Sequence, residues 1–139
     1  MGRGSSKLKG GGGGALTEMD IDRMSFDQVE QAIMDADDID TLDMIGEAAG
    51  NSEKFSNQEA WQLYSMAMAK ITLWQPTAGE LYNATQAQKN TMAKIVGKAD
   101  ESAGFKMQSD GTVTATYHSP TTGNAVIAYI NKKGVVKFQ

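Results

Sequence analysis

The chain of 139 residues contains no cysteine, one histidine, His118, and two prolines. Without cysteine there is no disulfide framework, no thiolate zinc site and no cysteine nucleophile, which is typical of a reducing compartment. A single histidine excludes metal sites built from several imidazoles. No apolar run approaches the roughly 18 residues that span a bilayer, and the N-terminus has no hydrophobic signal region. We expect a cytoplasmic protein without a membrane partner.

Charge is distributed unevenly along the sequence. The net charge is −4, but the segment from Glu18 to Glu47 contains eleven carboxylates and one basic residue, Arg23. This segment therefore has a charge of −10, and the remainder has +6. Such asymmetry bears on partners and association rates, not on the fold. The acidic residues that we expect to form a partner-binding face are Asp35, Asp37, Asp38, Asp40, Asp43 and Glu47; the alternative is a solvated face that keeps the protein soluble.

The first fourteen residues, MGRGSSKLKGGGGG, have a composition that cannot form a packed core. We interpret residues 1–14 as a flexible basic arm whose charges are Arg3, Lys7 and Lys9. The opening MGRGSS also fits the N-myristoylation pattern, and a plain unmodified arm is the alternative. The run of glycines joins no strand to a helix, so it predicts a linker and not a phosphate-binding loop.

The same opening, MGRGSS followed by a glycine tract, resembles the start of many small proteins encoded by bacteriophages and prophages. The resemblance covers fourteen residues and implies a phage or mobile-element origin. It implies a location in the cytoplasm of a host bacterial cell, or in the virion. It carries over no functional residue, and no motif in the rest of the chain matches a family.

The stretch from Phe55 to Trp74 is predicted to form a buried central helix. Ser56 and Glu59 make a capping box at its start, and Pro76 ends it. Its apolar arc is wider than a surface helix needs, so partners should cover most of it. We expect Trp61 and Tyr64 to be buried at the centre of the fold.

Capping patterns place the other helices. Ser25 and Gln28 begin a helix that runs from Met24 to Ala36, and Asp40 is the expected cap of the next helix, which stops at Gly50. Thr77 and Glu80 are expected to open a helical stretch that continues to about Ser102. That stretch is either one bent helix or two, because Thr85 and Gln88 could restart a helix.

The pattern changes from helical to alternating after residue 105. Runs rich in β-branched and aromatic residues predict strands, and Asp110-Gly111, SPTTGN and NKKG predict the turns between them. The fold class is therefore α+β, with three to five helices between about residues 24 and 102 and a three- or four-stranded antiparallel meander between about residues 105 and 138. Residues 15–139 are expected to form a single domain. The predicted strands are Thr112–Tyr117, Ala125–Ile130, Val135–Phe138 and a shorter run at Phe105–Gln108.

No motif predicts an enzyme or a cofactor. The acidic run fails the EF-hand spacing, since Ile39 and Asp40 occupy positions where a ligand and a glycine belong. His118 beside Ser119 is not a triad, because a triad is defined by geometry and not by sequence neighbours. The few lysines of the sheet can assist binding to nucleic acid but cannot specify a sequence.

These features favour a non-enzymatic protein that docks on a macromolecule. In size, acidity and lack of catalytic residues the chain resembles anti-CRISPR proteins, which implies a basic nucleic-acid-binding effector as its partner. The alternative is a virion structural or assembly component that binds other phage structural proteins through its N-terminal arm.

Overall fold

The computed structural model describes residues 16–139, in which helices precede a four-stranded antiparallel sheet. The predicted α+β class is confirmed. Two compact units follow each other along the chain; the first ends at Tyr64 and the second begins at Ser65. The single-domain organisation stays a prediction. The helices are α1 (Glu18–Asp22), α2 (Phe26–Asp35), α3 (Ile39–Asn51), α4 (Asn57–Leu73), a 3₁₀ helix (Pro76–Asn83), α5 (Gln86–Lys94) and a π-helical turn (Ile95–Ala99).

Side-chain caps define the starts of the five α-helices. The predicted box at Ser25 and Gln28 is present, with Gln28 N–H donating to Ser25 Oγ and Ser25 N–H donating to Gln28 Oε1. The box at Ser56 and Glu59 is also present. Helix α1, which was not expected, begins in the same way at Thr17 with its box partner three residues on. Each cap satisfies backbone donors that the first turn leaves free.

Helix α3 begins two residues earlier than the sequence suggested. Its N-cap is Asp38, which accepts hydrogen bonds from the backbone N–H of Thr41 at 2.7 Å and from its hydroxyl at 2.8 Å. Asp40 lies inside the first turn, and the helix continues past Gly50 to Asn51. The prediction of Asp40 as the cap was wrong because either aspartate suits a helix start, and only the backbone path decides between them.

The first unit has a core made by the inner faces of its helices. Helices α1 and α2 both pack against α3. Burial of these apolar side chains is the main stabilising contribution in a unit without disulfides. The fully buried core residues of this unit are Ile21, Val29, Ile33, Leu42, Ile45, Ala49 and Leu63.

Helix α4 occupies the predicted stretch, but its first turns are not enclosed. Trp61 is 50 % exposed and Tyr64 is half-buried. The expectation that both were buried was therefore wrong for Trp61 and only partly right for Tyr64. A wide apolar arc requires cover only where other elements reach it. Apart from Ala60, the buried side chains of α4 lie after Trp61, at Leu63, Ser65, Met66, Ala67, Lys70 and Leu73.

The stretch after α4 is broken into separate segments. A 3₁₀ helix begins at Pro76 without a side-chain cap, and Gly79 interrupts it with a φ of 68°. The helix start expected at Thr77 and Glu80 is therefore wrong, as is the alternative of one bent helix, and the alternative with a restart at Thr85 is confirmed. Thr85 caps α5, since its hydroxyl accepts from Gln88 N–H at 3.1 Å while Gln88 Oε1 accepts from Thr85 N–H at 2.9 Å.

The sheet follows the predicted meander. Adjacent strands are neighbours in the order β1-β2-β3-β4 and all pairs are antiparallel. Val113, Ala115 and Tyr117 of β2 are buried, whereas the residues between them face outward. One face therefore packs in a core with Met92 and Ile95. The strands are β1 (Gly104–Met107), β2 (Val113–His118), β3 (Ala125–Ile130) and β4 (Val136–Phe138).

Three side chains of the α5 segment fasten the sheet's turns. Gln88 is 1 % exposed, and its Nε2 donates to the carbonyl oxygens of Gly111 at 2.8 Å and of Ile130 at 3.1 Å. The hydroxyl of Thr85 donates to the Lys132 carbonyl, and that of Thr91 donates to the Gly134 carbonyl, both at 2.7 Å. These bonds hold the two turns at one end of the sheet against one helix.

Candidate partner-binding surface

The first unit is the strongly charged part of the described chain. Residues 16–64 include thirteen carboxylates and only two basic side chains, Arg23 and Lys54, which gives a charge of −11. A surface of one sign raises the local concentration of oppositely charged partners and speeds their association. An interaction through this unit would therefore favour a basic partner.

All six predicted acidic residues are exposed. Two of them also have local structural roles. Asp38 caps α3, and Asp35 accepts a hydrogen bond from Gln31 Nε2 at 2.8 Å. The other four are Asp37, Asp40, Asp43 and Glu47. The basic residues of the predicted arm, Arg3, Lys7 and Lys9, lie outside the described residues, as does the myristoylation pattern.

An open groove lies beside Glu47, between the last turns of α3 and the first turns of α4. Its volume is about 420 Å³, and Gly50 and Asn51 line it from α3. Asn57, Ala60, Trp61 and Tyr64 line it from α4. Because Gly50 has no side chain, the groove reaches the Tyr64 ring, which a Cβ at residue 50 would contact at 3.5 Å.

The aromatic wall of the groove is a stacked pair. The ring centroids of Trp61 and Tyr64 are 5.8 Å apart and the ring planes differ by 27°. Stacking fixes the orientation of the indole and leaves half of Trp61 accessible to a partner. Exposed aromatic rings of this kind are frequent anchors at protein interfaces.

Together these groups suit a cationic side chain. The face of an indole attracts an ammonium or guanidinium group, and a nearby carboxylate adds an ion pair. Glu47 belongs to the predicted acidic set, whereas Trp61 was missed as a surface residue because the sequence pattern assigned it to the core. The apolar arc of α4 was too wide to indicate which side would stay open.

In the second unit, the titratable side chains of Asp100 and His118 form hydrogen bonds that link two segments. Asp100 accepts from the backbone N–H of His118 at 2.9 Å, and its Oδ2 lies 3.0 Å from His118 Nδ1. The Ser102 hydroxyl and N–H also donate to it, and these four contacts hold the pKa of the Asp100 carboxyl well below its usual range. The Ser119 hydroxyl accepts from the N–H groups of Thr121 and Thr122. His118 thus ties the end of β2 to the segment before β1.

Two lysines of the second unit are buried beside aromatic rings. Lys70 Nζ lies 5.6 Å from the centroid of the Trp74 ring, and Lys89 Nζ lies 5.2 Å from that of Tyr82. Burial lowers the pKa of Lys89, because desolvation disfavours the charged amine. The accessible positive charge of this unit therefore comes from its other lysines.

Metal-ligand geometry and comparison with known proteins add no functional assignment. Within residues 16–139, no group of three or more histidine, aspartate or glutamate side chains is arranged to hold a metal ion. None of the described helices is long and apolar enough to cross a membrane. No protein-family model, no curated protein and no solved structure matches this chain.

Proposed function

We propose that this protein is a non-enzymatic binding protein that docks on a basic surface of a macromolecular partner through its acidic first unit. The observation that carries the proposal is the combination of a charge of −11 in residues 16–64 with a half-exposed Trp61 beside Glu47. Charge brings a basic partner to the unit, and the groove supplies an anchor for one of its arginine or lysine side chains.

The most specific form of the proposal is an inhibitor of a host nucleic-acid-targeting effector. Such an effector exposes a basic groove for its nucleic acid, and an acidic protein can occupy that groove in competition with the phosphate backbone. The protein then needs no catalytic residue, and its effect depends on stoichiometric binding. Support for this form comes from charge and from the resemblance to anti-CRISPR proteins in size, acidity and lack of catalytic residues.

The test is cleavage of target DNA by a purified RNA-guided effector, with increasing amounts of the full-length protein. We expect inhibition that depends on salt and is lost when Asp37, Asp40 and Asp43 are replaced by lysine. A matched control replaces Glu18 and Asp22, exposed carboxylates of α1, together with Asp27 of α2. That control changes the net charge by the same amount on other helices.

The two variants separate a specific face from net charge. Equal loss of inhibition in both would show that overall acidity is sufficient and that no particular face is involved. Unchanged inhibition in the first variant would contradict the proposed charge mimicry. Absence of inhibition with every effector tried would remove the inhibitor form and leave docking on another basic partner.

The virion alternative makes a different prediction. If the arm inserts into an assembly, deletion of residues 1–14 should leave the circular dichroism spectrum unchanged and prevent incorporation into phage particles. Affinity capture from infected cells also distinguishes the two functions, because one predicts a host effector and the other predicts capsid or tail proteins.

A further inference from the structure

The outer face of the sheet carries an aromatic ring between two lysines. The strand register pairs Lys106 with Thr114, Thr114 with Tyr129, and Tyr129 with Lys137. These four residues therefore form one row across all four strands, with their side chains on the same face. Lys106 and Lys137 are exposed, and Tyr129 is 38 % exposed.

A second row extends this surface with apolar and hydroxyl groups. Gly104 pairs with Thr116, and Thr116 pairs with Ile127. Ile127 is 40 % exposed and lies two residues before Tyr129, so both side chains face the same way. Helix α5 contributes to the core on the opposite face of the sheet and leaves this one open to solvent.

The charged strand residues of this face are lysines, although the carboxylate of Asp100 contacts His118. None of its outward-facing strand residues is a carboxylate, and the second unit as a whole contains eight lysines and four acidic residues. Two further exposed lysines, Lys132 and Lys133, occupy the turn that joins β3 to β4. The outward-facing strand residues are Gly104, Lys106, Thr114, Thr116, His118, Ala125, Ile127, Tyr129 and Lys137.

We infer that this face, which we call the lysine-tyrosine face and define by Lys106, Thr114, Ile127, Tyr129 and Lys137, binds single-stranded nucleic acid. An aromatic ring on an open sheet offers a stacking platform for any base, and cations beside it neutralise the phosphates. Since neighbouring strands are about 4.8 Å apart, the two lysine backbones lie about 14 Å apart across the sheet. The phosphates on both sides of a stacked base are then within reach of the long lysine side chains.

The composition of the lysine-tyrosine face favours single-stranded nucleic acid over a duplex or an acidic protein segment. A duplex keeps its bases stacked internally and would use the lysines but not the ring of Tyr129. An acidic protein segment would likewise pair with the lysines and would not require a flat aromatic platform. The site lies entirely within the second unit, so it is independent of the proposed docking through the first unit.

The test is fluorescence anisotropy of a labelled thymidine oligonucleotide titrated with the full-length protein at several salt concentrations. Substitution of Tyr129 by alanine should weaken binding about tenfold, whereas Tyr129→Phe, which keeps the ring, should bind within about twofold of the original. Replacement of Lys106 and Lys137 by alanine should lower the slope of log affinity against log salt by about 1.4. The control Lys94→Ala alters an exposed lysine of α5 and should lower that slope by less than Lys106→Ala or Lys137→Ala does alone.

Any of the following outcomes would overturn the inference. Equal affinity for the oligonucleotide and for a duplex of the same length, or equal affinity of Tyr129→Ala and the original protein, would mean that charge alone acts. Equal losses from Lys94→Ala and from either face lysine would mean that no particular face is used. Concentration-dependent dimers that Tyr129→Ala disrupts, without oligonucleotide binding, would assign the face to a second copy of the chain. Circular dichroism of every variant checks that the fold is retained.

Discussion

Substitution of Gln88 by methionine should destabilise the second unit markedly. The amide is buried and makes three hydrogen bonds through its side chain, to the carbonyl oxygens of Gly111 and Ile130 and from the backbone N–H of Thr85. Methionine has a similar length and fills the same space, so it removes these bonds without opening a cavity. The substitution therefore isolates the contribution of the amide.

The magnitude follows from those three bonds. Each contributes about 1 kcal/mol to stability, and a buried carbonyl left without its partner adds a penalty of similar size. Burial of the methionine side chain offsets part of the loss, so we expect a decrease in the free energy of unfolding of about 2–4 kcal/mol. The control is Gln86→Met, at an exposed position in the first turn of the same helix. This substitution should change the free energy of unfolding by less than about 0.5 kcal/mol.

The two tryptophans make a unit-specific assay possible. Trp61 belongs to the first unit and Trp74 to the second, and the chain has no other tryptophan. In a Trp61→Phe background, urea unfolding followed by fluorescence reports the second unit alone. A loss below about 0.5 kcal/mol in Gln88→Met would refute the role assigned to the amide. So would an equal loss in the Gln86→Met control.

Two other predictions concern turns and pH. Gly134 and Gly123 both have positive φ, but a Cβ at Gly134 would lie 2.7 Å from the Ala87 carbonyl oxygen, whereas Gly123 faces open space. Gly134→Ala should therefore lower the free energy of unfolding, measured in urea, by at least about 1 kcal/mol more than Gly123→Ala does. Equal losses in the two variants would contradict the close approach of Gly134 to Ala87. The lowered pKa of Asp100 stabilises the fold above the carboxyl's ordinary value of 3.8, and this contribution is lost as the pH falls below it. The difference in free energy of unfolding between the original protein and Asp100→Asn should therefore shrink as the pH is lowered from 7 to below 3.8. A difference that stays constant over this range would show that the charge of Asp100 is not involved.

Local signals in the sequence predicted much of the fold. The capping boxes at Ser25, Ser56 and Thr85 were readable because each depends on residues only three positions apart. The turn glycines Gly111 and Gly134 were readable because a positive φ favours glycine. The change from helical to alternating pattern likewise placed the strands of the sheet.

Features that depend on the path of the backbone were not predictable. Asp38 and Asp40 are equally good caps by residue type, and the choice depends on where the chain turns after α2. Gly79 breaks the segment after α4, although Thr77 and Glu80 on either side of it match a capping pattern. The 3₁₀ helix and the π-helical turn have no distinct sequence pattern.

The candidate site was only half predictable. Its acidic side could be found by counting charges, which requires no knowledge of the structure. Trp61 was assigned to the core because apolar residues on a wide arc are usually covered. Its exposure depends on how far α3 extends beside α4, and the groove beside Glu47 could not be inferred from either helix alone.

The central claim is that the groove of the first unit binds a cationic side chain of a partner. Its most direct test uses a Trp74→Phe protein, in which Trp61 is the only tryptophan, titrated with a short peptide of alternating arginine and glycine. We predict a saturable change in Trp61 emission and a two- to fivefold weaker affinity in Glu47→Gln, about the value of one exposed ion pair. Peptide binding that leaves the Trp61 emission unchanged would contradict the claim.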